Sequence, residues 1–104
     1  MRMIQTIVLA VVLSTSVYAA DVAAGKVAYD KTCKKCHGGD GTPNPAIAKM
    51  MKVEMKALGS KDIQAKSDAV LKKETIEGVG KMKAMTVTDA EASNIVAFLR
   101  TLKS

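Results

Sequence analysis

An all-helical domain is what the sequence predicts, on three observations. Apolar residues recur at three- and four-residue spacing, no useful length of chain alternates as a strand does, and helix-start and helix-stop residues stand at the ends of the periodic stretches. At 104 residues the chain is one small domain at most. It has no repeats and no low-complexity segment.

Residues 1–19, MRMIQTIVLAVVLSTSVYA, have the pattern of a cleaved export signal. Arg2 precedes an apolar run from Ile7 to Leu13, and Val17-Tyr18-Ala19 sets small residues where a signal peptidase reads. The run is shorter than the roughly 20 apolar residues of a membrane span, so no permanent membrane anchor is expected. No cysteine stands at the cleavage point to take a lipid. The folded domain is then 20–104, exported and periplasmic. Asp21 caps a first helix through Lys31, with Val22, Gly25 and Tyr29 on one stripe. Residues 38–45 are rich in turn formers. Asn44 and Pro45 read as N-cap and first position of a second helix to about Lys52, with 53–58 as its continuation and Gly59-Ser60 as its end. Ser67-Asp68 opens a third helix, which runs to about Glu77 and stops at Gly78. A loop with two glycines and two methionines follows. Thr88 and Glu91 form a capping box for the last helix, where Ile95, Phe98, Leu99 and Leu102 share a face.

A domain this short buries little surface and generally leans on a disulfide, a metal or a cofactor. Downstream of the signal it has only Tyr29 and Phe98 as aromatic residues. A large flat cofactor would fill the deficit. The formal charge of +6 comes from lysines spread along the chain, the pattern of a solvated basic surface; nucleic acid is not an expected partner.

The stretch TCKKCHG, Thr32 to Gly38, holds both cysteines and the only histidine of the chain. A thioredoxin-like dithiol needs a strand before it and a helix after it, which this context lacks. Zinc needs four ligands, and Cys33, Cys36 and His37 supply three. A disulfide would close too short a loop to constrain the unfolded chain much. Cys-x-x-Cys-His as a unit is the attachment site of a c-type haem: two thioethers from Cys33 and Cys36, and His37 as proximal iron ligand. With no second histidine, the other axial position is left to methionine, lysine, water or nothing. Met50, Met51 and Met55 read as packing residues near the attachment site. Met82 and Met85, in the glycine-flanked loop, are the distal candidates, and spacing alone leaves both open. Lys81 and Lys83 flank Met82 as substitutes. A methionine–histidine pair raises the reduction potential and saturates the iron, which suits electron transfer.

The segments GKVAYDKTCKKCHG and GVGKMKAMTVTDAEASNIVAFLRTLK resemble the first helix, attachment site, methionine loop and last helix of the small class I cytochromes c of bacteria. The resemblance implies that family's fold, short helices wrapped around one covalent haem. It implies Met82 as the axial methionine, with Met85 where an aromatic residue usually stands. It further implies a close crossing of first and last helices at Gly25 near Phe98, and a proline carbonyl, that of Pro45 before that of Pro43, orienting the His37 ring. Lys83 departs from the family pattern, in which proline follows the ligand.

The function expected is that of a monomeric, non-enzymatic carrier of single electrons between larger redox proteins. Lys34 and Lys35, beside the attachment site, would suit acidic partners. The alternative is a haem-based sensor or small-ligand-binding protein whose axial methionine is displaceable. A peroxidase would want a distal histidine that the chain lacks, and cytochromes c′ carry the attachment site near the C-terminus instead.

Overall fold

The computed structural model describes residues 20–103, so the export signal expected at 1–19 lies outside the described residues. The helices are α1 (Val22–Thr32), α2 (Lys34–His37), α3 (Pro45–Met51), α4 (Lys61–Gln64), α5 (Asp68–Glu77) and α6 (Asp89–Thr101). No strand occurs among the described residues beyond one isolated bridge, Val79 with Met82. The all-α expectation holds.

The caps are those the sequence announces. Asp21 accepts from the Ala24 amide, Asn44 from Ala46 and Ser67 from Val70, each satisfying a donor that the first turn leaves unpaired. At α6 the Thr88 hydroxyl accepts from the Glu91 amide while the Glu91 carboxylate accepts from the Thr88 amide, both at 3.1 Å.

The frame of the molecule is α1 packed against α6, with α5 packed on α6 as well. Gly25 is what lets the first two approach. A Cβ there would sit 1.9 Å from the Asn94 carbonyl oxygen and 3.2 Å from the Ile95 nitrogen. The crossing point is therefore Asn94–Ile95, within one turn of Phe98. Phe98 itself meets Tyr29, with ring centroids 4.9 Å apart and planes tilted by 53°. Ala28, Tyr29, Cys33, Ile95, Phe98 and Leu99 form the core, and Leu58, Val87 and Leu102 pack against it. Val22 is exposed and Ala28 takes its place on the buried stripe, because α1 rolls its Gly25 side onto α6.

The second expected helix is shorter than the sequence suggests. It stops at Met51, and residues 53–57 are not helical. The chain reverses at Lys52 in the left-handed region (φ 55°), with Val53 N–H bonded to Ala48 O and Lys52 N–H to Lys49 O. That is a Schellman closure without its usual glycine, so no residue type marked it. A one-turn helix, α4, then forms where none was expected.

Arg100 fastens this segment to α6. Its guanidinium donates to Asp68 Oδ1 at 2.9 and 2.7 Å, to the Gln64 carbonyl at 2.9 Å and to the Lys66 carbonyl at 2.7 Å. Gln64 Nε2 in turn donates to the carbonyls of Leu58 and Leu99, at 2.9 and 3.0 Å. Several charge-assisted bonds of about 1.5–3 kcal/mol each, discounted for partial exposure, predict that Arg100→Ala lowers stability by about 2 kcal/mol. A urea titration checks this. Arg100→Lys should recover only part of the loss, since one ammonium cannot span the fork of acceptors.

Candidate functional site

Six helices and the segments that connect them border one large cavity, of about 810 Å³. That is at the upper end of the ~300–1,000 Å³ range of ligand pockets. The end of α1 and the α2 turn provide Cys33, Cys36 and His37; α3 provides Ile47, Met50 and Met51; the irregular stretch after it provides Val53 and Met55. Leu71 and Thr75 of α5 and Ile95 and Leu99 of α6 lie behind, and the 78–85 loop brings Met82 and Met85. Every methionine of the described chain lines this space.

Cys33 begins its short helix at the point where α1 ends. Its amide bonds to the Tyr29 carbonyl, and the His37 amide bonds back to the Cys33 carbonyl at 3.0 Å. One helical turn thus presents Cys33, Cys36 and His37 together. Tyr29 steadies the turn from below: its hydroxyl donates to the Gly38 carbonyl at 2.6 Å, and burial pushes its ionisation far above the ordinary range. The two thiols are not joined in a disulfide. Burial also raises the Cys33 thiol, with the Thr32 hydroxyl 3.3 Å away opposing the shift.

His37 is half-buried, and desolvation lowers its pKa, favouring the neutral imidazole that a metal requires. Its Nδ1 is buried and has no hydrogen-bond partner. The expected Pro45 carbonyl does not supply one. Pro45 is exposed as the first residue of α3, and its carbonyl lies in the helix ladder toward Lys49. Nor does Pro45 line the cavity.

Met82 is half-buried, and its backbone is fixed by two bonds with Val79: Val79 N–H to Met82 O at 3.1 Å and Met82 N–H to Val79 O at 2.9 Å. The loop folds back at Gly78 (φ 80°), where a Cβ would meet the Met82 carbonyl oxygen at 2.5 Å and the Ala84 nitrogen at 2.8 Å. Only glycine permits both the dihedral and the approach. Met85 is held at the other end of the loop, its amide bonded to the Thr75 carbonyl at 3.1 Å. Both methionines reach the cavity wall.

Sequence reasoning missed an ion pair in that wall. Lys66 Nζ contacts both oxygens of Glu74, at 2.9 and 3.0 Å, with both side chains about one-quarter to one-third exposed. One member lies in a connector and the other on α5, so no periodicity links them. Lys35, Lys81 and Lys83 also line the cavity and are exposed.

The donor set fits a covalently held haem: two free thiols and a neutral imidazole on one turn, an orphaned imidazole nitrogen, thioether sulfurs from a separate loop, and a largely apolar space of the right order of size. Comparison with known proteins agrees. Residues 22–103 match the family model for cytochrome c. Cytochrome c-554(547) of Halothiobacillus neapolitanus is 30% identical over 91 residues, covering 82% of this chain and the whole of that protein. The solved KustC0563 c-type cytochrome superposes with a TM-score of 0.66 at 26% identity, covering 77% of this chain and 98% of its own. The cavity, the Cys-x-x-Cys-His turn that opens onto it and these likenesses have one common account: the chain belongs to the cytochrome c family, with the fold of its small class I members and a covalently bound haem c.

Proposed function

We propose that the protein is an exported carrier of single electrons between larger redox proteins, without catalytic activity of its own. Cys33 and Cys36 hold the haem as thioethers, His37 is the proximal axial ligand and Met82 the distal one. The observation that carries this is the meeting, on one cavity, of the Cys-x-x-Cys-His turn and the methionine loop. Bound there, the haem supplies one-electron chemistry at its iron. The chain's own part is to orient it through α2, to exclude water with Leu71, Ile95 and Leu99, and to keep the imidazole neutral by burial. Export rests on residues 1–19; among the described residues no helix is long and apolar enough to cross a membrane.

Spectra of the oxidised and reduced holoprotein test the assignment. A carrier with both axial positions filled is low-spin in both states and does not bind carbon monoxide when reduced. High-spin iron or rapid carbon monoxide binding would replace it with the ligand-binding reading. Lys34 and Lys35 are exposed beside the attachment turn. Electron transfer to an acidic partner should therefore slow severalfold from low to physiological salt as the ~8–10 Å Debye length shortens the reach of these charges. A rate that does not respond to salt would remove steering.

A further inference from the structure

One side chain ties the turn that carries Met82 to the far end of α3. The paired backbone bonds of Val79 and Met82 leave Gly80 and Lys81 as the corner residues of the turn. From that corner the Lys81 ammonium donates to the Met51 carbonyl at 2.9 Å. Met51 is the last residue of α3, so its carbonyl has no partner within the helix. The neighbouring Ala48 and Lys49 carbonyls are satisfied by the chain reversal at Lys52, whereas that of Met51 is turned to Lys81. A lysine closing an open helix carbonyl is a sound contact on both hydrogen-bonding and charge grounds.

The position of this contact gives it consequence. Lys81 and Met51 both line the cavity, as do their neighbours Met82 and Met50. The bond therefore joins two walls that lie 30 residues apart in the chain. The other backbone anchors of the loop, Gly78 N–H to Glu74 O at 2.9 Å and Met85 N–H to Thr75 O at 3.1 Å, run back to α5. They hold the loop at its two ends on one side and leave the Gly80–Lys81 corner to swing. Lys81 fixes that corner to α3.

We propose that Lys81 is a positioning residue, a latch between the Met82 turn and the end of α3 that keeps the Met82 sulfur over the cavity and limits how often the loop lifts. This rests on Met82 being the distal ligand. An incoming ligand can displace that sulfur only when the turn swings out, so the latch sets the frequency of access.

The test uses the holoprotein as wild type, Lys81→Leu, Lys81→Arg and Lys83→Leu. Two quantities are read: the rate at which imidazole binds the oxidised protein, and hydrogen exchange at the Met82 amide. Losing one exposed charge-assisted bond should raise both by about two- to fivefold in Lys81→Leu. Lys81→Arg, which keeps a donor, should return toward wild type. Lys83→Leu removes the same charge from the same loop and should leave amide exchange at its wild-type rate. Wild-type exchange and imidazole rates in Lys81→Leu would overturn the latch, and so would an equal acceleration in Lys83→Leu, which would make the effect one of net charge. Exchange at the Met82 amide is read whichever residue ligates the iron. A failure of Met82 as ligand, seen as an unchanged spectrum in Met82→Ala, is thus distinguishable from a failure of the latch.

Discussion

Met82→Ala is expected to abolish the weak long-wavelength sulfur-to-iron band of the oxidised protein and to lower the reduction potential. The drop should be on the order of 0.2 V, a fraction of the ~0.8 V over which axial ligands tune haem proteins. A thioether raises the potential of the iron it binds, and water or a lysine amine in its place does not. Met85→Ala should leave band and potential close to wild type. The structure gives both residues access to the cavity, but their settings differ. Met82 sits at the end of a closed two-residue turn, with both its N–H and C=O bonded to Val79. Met85 is itself the second anchor of the loop, its amide committed to Thr75 on α5. Visible spectra and redox titration of the two variants decide the matter: a band lost only in Met85→Ala would move the ligand to that residue and leave the carrier intact.

Gly25→Ala is expected to cost more than about 3 kcal/mol and to cut the yield of haem-loaded protein sharply. The added Cβ would lie 1.9 Å from the Asn94 carbonyl oxygen and 2.5 Å from its carbon. Both atoms are backbone of α6, so no side-chain rotation relieves the clash and the two helices must part. Parting them exposes some of Tyr29, Ile95, Phe98 and Leu99, each worth about 1.5–3 kcal/mol when fully buried. Asn94 also accepts the Asp21 amide at 2.9 Å, so the first turn of α1 would be disturbed as well. Gly39→Ala is the matching control. Its Cβ would find nothing nearer than Lys34 Cε at 3.5 Å, and its effect on the denaturation midpoint should stay within about 0.5 kcal/mol.

The parts of this molecule most legible in its sequence are those governed by local rules. Asp21, Asn44, Ser67 and Thr88 announced their helices, and all four accept the expected amides. The Cys-x-x-Cys-His motif is legible for the same reason: five consecutive residues on one turn carry its whole chemistry. The end of α3 was not legible. Lys52 adopts a left-handed conformation that costs a non-glycine residue roughly 1–2 kcal/mol, and the two backbone bonds closed there help to offset it. Residues 53–57 consequently leave the helical path, and Val53 and Met55 line the cavity from this irregular stretch. Val22, apolar and correctly spaced, is exposed because Gly25 fixes the roll of α1.

By itself the sequence determined the helical class, the four capped helix starts, the position of the attachment turn and the pair of methionines to be considered. Each depends on residues within a few positions of one another, where capping, spacing and covalent chemistry act directly. Tertiary structure alone decided that Gly25 meets Asn94, that Lys66 pairs with Glu74 in the cavity wall, that Arg100 secures the 58–68 segment, and that Lys81 reaches the end of α3. These contacts join residues distant along the chain. Their energy depends on how helices without a strong pattern of their own are brought together, and that is set by the packing of α1 on α6.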